Sequence, residues 1–154
     1  MGVGKTATSK ELKSMLPSSV MLDGDWCWDM HPFVVTDETK AMVMDNIAYL
    51  LGNFIRCSAF SHVIFCWVMH EQSIIDQLLS KIPLKGVRVV SLSLLCSPAE
   101  LSRRLQSDID VGLRTQDVIA RSLERLPLYD ALNTRKLYTD GMTAQEAARA
   151  ILKL

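Results

Sequence analysis

The chain has 154 residues, 49% of them hydrophobic, enough for one domain with an ordinary core and too few for two comfortable ones. Lys plus Arg and Asp plus Glu number 17 each, so no charge excess argues for duplex nucleic acid or an anionic membrane as partner, and any anion must be held locally. The four cysteines (Cys27, Cys57, Cys66, Cys96) form no CxxC pair, which argues against a zinc site or disulfide framework and for reduced thiols in a cytoplasmic protein.

The chain opens with MGVGKT, the second half of a phosphate-binding loop. In such a loop glycines let backbone N–H groups converge on phosphates, the lysine reaches the outer phosphates and the Ser/Thr hydroxyl ligates Mg²⁺. Gly2, Gly4, Lys5 and Thr6 fit these roles, with Val3 and Ala7 completing the stretch that would wrap ATP. The full pattern also asks for a glycine five residues before Gly4 and a hydrophobic strand ahead of it. Neither is in the sequence, so the match is partial.

A helix is expected from the loop to Leu16, with Leu12, Met15 and Leu16 on its buried face and Pro17 ending it. SVMLDGD then reads as a short strand ending in acids. Two carboxylates one residue apart can divide labour, Asp23 assisting Mg²⁺ through water and Asp25 orienting or deprotonating an acceptor hydroxyl. An acidic turn is the plain alternative. WCWDMHPF follows, and the aromatic faces of Trp26 and Trp28, with His31, suit a ring-bearing acceptor, although core packing under a loop explains the same residues.

Thr36 is a plausible N-cap, with Asp37 and Glu38 at the positive end of a helix running to about Cys57. Its two apolar stripes mean burial on more than one side. HVIFCWVMH is continuously apolar and reads as a strand covered on both faces. It ends at His70 and Glu71, where a role with acceptor or metal competes with a structural one. A helix over Gln72–Lys81 and a strand over VRVVSLSLL follow. SPAE supplies capping Ser97, Pro98 at the first helical position and Glu100 at the reciprocal position of a capping box. DIDVGLRT, about 108–115, reads as a mobile loop before a helix over about 116–126. RKLYT is a last strand, and Thr143 with Glu146 forms a second capping box.

Strands alternating with helices in this order specify a parallel α/β sheet with right-handed crossovers, whose ligand lies beyond the carboxyl ends of the strands. Asp23, Asp25, His70 and Ser97 fall at those ends.

Through GVGKT and LDGD the chain resembles the small P-loop kinases of the nucleoside-monophosphate, shikimate, gluconate and adenylyl-sulfate kinase group. Within that group it is most similar to uncharacterised bacterial ATP-binding proteins described as shikimate-kinase-like. The resemblance covers nearly the whole chain, but only those two motifs are specific. It implies a three-layer P-loop NTPase fold over 1–154 with a lid at about 108–115, and ATP with Mg²⁺ as cofactors. The implied activity is transfer of the ATP γ-phosphate to a small-molecule acceptor. By the same resemblance Arg104 would lie over the nucleotide, with Arg103 as its competitor, and Thr139 would border the adenine. Arg114, with Arg121 and Arg125 behind it, could close on the transferring phosphate. Asp108 stands where the adenylate-kinase pattern has a second lid arginine, which weakens a nucleotide acceptor. A nucleotide-binding regulatory or inactive protein is the alternative reading.

In this group the strand before the loop lies in mid-sheet, between the strands expected at VIFCWVM and VRVVSLSL. Its loss would cost about 10 kcal/mol of apolar burial, comparable to the net stability of a whole domain, ~5 to 15 kcal/mol. The expectation is therefore an unstable chain whose natural product begins about ten residues upstream, with the apolar strand and the missing glycine.

Overall fold

The computed structural model describes residues 1–154. Six α-helices and four strands alternate, with short 3₁₀ turns at Gly24–Trp28 and Leu126–Tyr129. Helix α1 (Lys5–Met15) leads to β1 (Ser19–Asp23), α2 (Asp37–Arg56) to β2 (His62–Cys66), and α3 (Gln72–Lys81) to β3 (Leu92–Leu95). Helices α4 (Pro98–Asp110) and α5 (Asp117–Arg125) precede β4 (Arg135–Tyr138), and α6 (Ala144–Ile151) closes the order.

The strands pair in parallel, as helical crossovers require, but in two separate ladders. β1 runs beside β2 from Ser19 opposite His62 to Asp23 opposite Cys66. β3 runs beside β4 from Leu92 opposite Arg135 to Leu95 opposite Tyr138. No ladder joins β2 to β3. Each half carries its own core. Leu22, Val43, Ile47, Leu51 and Leu78 pack together beside β1 and β2, and Val3, Cys96, Leu101, Leu105 and Val118 beside β3. Helix α1 packs against β1, β2 and α6.

Local chemistry accounts for most boundaries. Thr36 caps α2 through a reciprocal pair, its hydroxyl accepting from Thr39 N while Thr39 Oγ1 accepts from Thr36 N. Thr143 and Glu146 form the expected box at α6. At α4 Ser97 accepts from Glu100 N, but the returning half of the box comes from elsewhere: Ser97 N donates to the Asp140 carboxylate, and Glu100 turns to Arg103 and Arg104.

Three expectations are corrected in extent. The strand expected over VRVVSLSLL ladders only from Leu92, and Val87, Val89 and Val90 are exposed. A β-forming sequence needs a neighbour to become a strand, and here one side has none. HVIFCWVMH likewise ladders only through Cys66. The loop expected from residue 108 begins later, because α4 runs on to Asp110. On α1 the most buried side chains are Thr8 and Ser9, while Leu12, Met15 and Leu16 are half-buried.

Candidate functional site

Gly2 and Gly4 both take positive φ, 77° and 88°, a region that side chains resist. Space restricts Gly2 as well, since a Cβ there would sit 2.6 Å from Leu105 Cδ2. Gly4 is the N-cap of α1 and offers no capping side chain. The first N–H groups of the helix therefore stay unclaimed by any cap, the arrangement that suits an anion.

The loop opens on a cleft of about 450 Å³. Its walls bring together Gly2, Gly4, Lys5, Thr6 and Ala7 from the loop, Asp23 and Asp25 from the end of β1, and Arg104 and Arg114 from α4 and the segment after it. Thr6 Oγ1 donates to Asp23 Oδ2 at 2.6 Å, and Asp23 Oδ1 accepts from Asp25 N at 3.1 Å. Asp23 is 4% exposed, whereas Asp25 opens to solvent. The two acids thus differ by position: one is locked to the loop and one is presented.

Charge follows the same division. Burial pushes the Lys5 ammonium below its ordinary pKa, and the Asp25, Cys66 and Asp23 groups act against that. Asp25 is raised, first by partial desolvation of its carboxyl on the cleft side although the residue as a whole is exposed, and then by the Asp23 carboxylate, with Lys5, Arg114 and a hydrogen bond from Trp67 opposing the shift. A carboxylate raised in this way is a better proton acceptor than a free one.

The arginines separate by their partners. Arg104 donates from Nε to Glu100, from Nη1 to the Val3 carbonyl (3.3 Å) and Thr139 Oγ1 (3.2 Å), and from Nη2 to the Thr139 carbonyl (2.6 Å). Its edge is committed to tying the loop to α4 and the end of β4, which leaves its flat face for a ligand. Thr139 is almost fully buried and also donates to the Leu95 carbonyl, so it serves as an anchor for Arg104 and does not line the cleft. Val3 is a core residue whose carbonyl alone reaches the site. Arg103 pairs with Glu100 at the surface, and Arg121 pairs with Asp117 away from the cleft. Arg114 is held over the loop by Asp108 Oδ2 at 2.8 Å. Asp108, Ser107, Arg103 and Val68 also line the cleft. The substitution at Asp108 that weakened the lid pattern in the sequence is the anchor for Arg114.

The aromatic segment lies elsewhere. Trp28 packs with Cys27 and Met30 against the α2 core and stands 5.9 Å from the Phe33 ring. Trp26 and Phe33 are 58% and 66% exposed, and His31 is exposed too. Trp26, Trp28, His31 and His70 are not among the walls of the loop cleft. His70 sits 3.5 Å from Glu71 through Nε2, and its buried Nδ1 has no partner. Trp67, in the apolar run HVIFCWVMH, lies against Gly24 and reaches Asp25, so close that a Cβ on Gly24 would fall 2.5 Å from Trp67 Cγ.

A glycine loop at a helix N-terminus, facing two strand-end acids within a parallel α/β fold, defines a P-loop nucleotide-binding domain of the kinase-like kind. The chain belongs to the AAA domain family, whose pattern matches residues 1–115. Among solved structures it is similar to a tunicamycin resistance protein of Deinococcus radiodurans, with TM-score 0.69 and 20% identity over 99% of this chain and 88% of that one. It is also similar to a sugar kinase from Janibacter sp. HTCC2649, with TM-score 0.70 and 15% identity over 99% and 87%. At such identities the likeness is one of fold, and the fold is that of the P-loop NTPases. No curated protein matches it by sequence. No helix is long and apolar enough to cross a membrane.

Proposed function

We propose that the protein is an ATP-dependent phosphotransferase acting on a hydroxyl of a small-molecule acceptor. The observation that carries this reading is the convergence of Lys5, Thr6, Asp23, Asp25 and Arg114 on one cleft. The loop N–H groups and Lys5 would hold the phosphates of ATP, and the face of Arg104 would meet the base. Asp25 would take the proton of the acceptor hydroxyl as its oxygen attacks the γ-phosphorus and the bond to the β-phosphate oxygen breaks, releasing ADP. Arg114 and Lys5 would stabilise charge spread over the transferring oxygens.

The donor set fits Mg²⁺. Thr6 Oγ1 and the Asp23 carboxylate are hard oxygen groups 2.6 Å apart, and that ion is bound by one or two carboxylates together with water and phosphates. When bound, it supplies charge neutralisation at the phosphate oxygens. A sugar kinase among the structural neighbours supports a hydroxylated acceptor. Nucleotide binding without transfer is the second reading, and the break between β2 and β3 favours it.

The test is ADP release from ATP and Mg²⁺ across a panel of sugars, hydroxy acids, nucleosides and antibiotics, with product phosphorylation confirmed by mass. Acceptor-dependent release supports transfer. Nucleotide binding with no acceptor-dependent release from any member selects the second reading.

A further inference from the structure

Gly24, the glycine of LDGD, is not one of the glycines with positive φ, so its lack of a side chain has another cause. That cause is Trp67. β1 and β2 pair in parallel as far as Asp23 opposite Cys66, and one step beyond the ladder Gly24 comes against Trp67. A Cβ on Gly24 would lie 2.5 Å from Cγ, 2.6 Å from Cδ1 and 2.9 Å from Cβ of that tryptophan, well inside the ~3.5 to 4.0 Å at which carbon atoms pack. The indole occupies the space that a side chain at 24 would need. The next residues, Asp25 and Val68, both line the phosphate cleft, so this contact lies one residue behind the site.

Trp67 is itself held in place. It packs against the α2 core, and its ring centroid stands 6.4 Å from that of Phe65. Asp25 has fewer holds. Its N–H donates to Asp23 Oδ1 at 3.1 Å, which fixes the backbone of the 3₁₀ turn but not the side chain. Its carboxylate enters none of the ion pairs, and the donor it meets is the Trp67 indole N–H. An indole has one N–H and no acceptor, so the contact has a single sense: the ring donates and the carboxylate receives.

We propose that Trp67 is the positioning residue for Asp25: packed under the DGD turn through Gly24, it aims the carboxylate into the cleft toward an acceptor hydroxyl. The inference rests on the phosphotransfer reading and adds to it a residue that is not itself a wall of the cleft. A general base is effective only within hydrogen-bond reach of the proton it takes, and a misplacement of about 1 Å can cost roughly a hundredfold in rate. A carboxylate tethered by its backbone alone would sample several rotamers, and a packed indole selects one.

The experiment measures kcat, acceptor KM and nucleotide affinity for the parent, Trp67→Phe, Asp25→Asn and the double variant, using an acceptor from the panel. Trp67→Phe keeps a ring against Gly24 and loses the N–H. Its kcat is expected to fall about tenfold, with KM and nucleotide affinity within about twofold of the parent. In the Asp25→Asn background the same substitution should cost nothing further, because residues that act as one unit are not additive. A full loss in that background, or a loss in KM and not in kcat, overturns the proposal. A second measurement needs neither turnover nor a folded Trp67 variant. Exchange of the indole N–H groups is followed by NMR in the parent and in Asp25→Ala, with the signals of the three tryptophans assigned through Trp26→Phe and Trp28→Phe. Exchange at Trp67 about tenfold faster in Asp25→Ala supports the contact, and equal rates overturn it whatever the activity. If that exchange responds to Asp25 but no acceptor is phosphorylated, the phosphotransfer reading falls and takes the positioning role with it.

Discussion

The loop side of the cleft and the aromatic segment after Asp25 differ in how their side chains are held. On the loop side most side chains that wall the cleft are tied to a partner: Thr6 has Asp23, Arg104 has Val3 and Thr139, and Arg114 has Asp108. From Trp26 to Val35 the chain leaves large apolar side chains in solvent, Trp26, Phe33 and Val35 all more than half exposed. Phosphates are the same in every nucleotide, so the groups that hold them can be set in advance. On the phosphotransfer reading an acceptor pocket must match one molecule, and the aromatic segment that would suit one does not line the cleft.

Lys5→Ala would break the preset side most severely. Removing the one ammonium in the loop takes away the charge that, on the proposed mechanism, would act as negative charge redistributes in the transition state. Transfer is expected to fall by about 10³-fold or more, with the unfolding midpoint little changed. An activity equal to that of the parent would remove Lys5 from the mechanism.

Asp25→Asn comes next in size. It preserves shape and removes the carboxylate proposed as proton acceptor, so kcat is expected to fall by about 10²-fold while nucleotide binding survives. The pH profile supplies a second readout. Asp25 must be ionised to accept a proton, and partial desolvation of its carboxyl together with the Asp23 carboxylate raises its pKa. Activity should therefore decline on the acid side at a higher pH than an ordinary carboxylate would dictate, and the variant should lack that limb. A change in KM alone would make Asp25 a positioning residue for the acceptor.

Arg104 and Arg103 are sequence neighbours with opposite settings, and comparing them sharpens the contrast between anchored and solvated groups. Arg104→Ala strands the Val3 carbonyl in a partly buried place and takes one of two donors from the Thr139 carbonyl, which keeps Met142 N. The expected cost is ~2 to 3 kcal/mol, the scale of leaving such an acceptor unmet plus a lost charged bond. Arg103, side chain 69% exposed and paired only with Glu100, should change stability by less than ~0.5 kcal/mol when made Ala. Urea unfolding of both variants reads the difference, and equal losses would contradict the anchoring role.

The sequence showed the loop side clearly because its chemistry is local. GVGKT carries its own backbone geometry, and Thr36, Ser97 and Thr143 each announce a helix start within four residues. What it could not show depends on distant partners. Nothing near Asp108 says that it holds Arg114, and nothing near Thr139 says that its carbonyl receives Arg104. The strand run from Val87 looked complete, yet it ladders only where β4 reaches it. Propensity proposes a strand and pairing decides its length.

Of the two tryptophans after Asp25, Trp26 carries a small expected effect on stability and the most direct look at the solvent-exposed aromatic segment. Trp28 packs into the α2 core and touches Phe33, so Trp28→Phe removes buried ring atoms and should destabilise by ~1 to 2 kcal/mol. Trp26 is 58% exposed and belongs to none of the core clusters, so Trp26→Phe should shift stability by less than ~0.5 kcal/mol. Its value lies in emission. If this segment closes over an acceptor, adding one in the presence of a non-hydrolysable ATP analogue should alter the fluorescence of the parent protein and leave Trp26→Phe nearly unresponsive. A response that persists in Trp26→Phe and disappears in Trp67→Phe would move the acceptor to the floor of the cleft, where Trp67 meets Asp25, and leave the exposed aromatics without a part in binding.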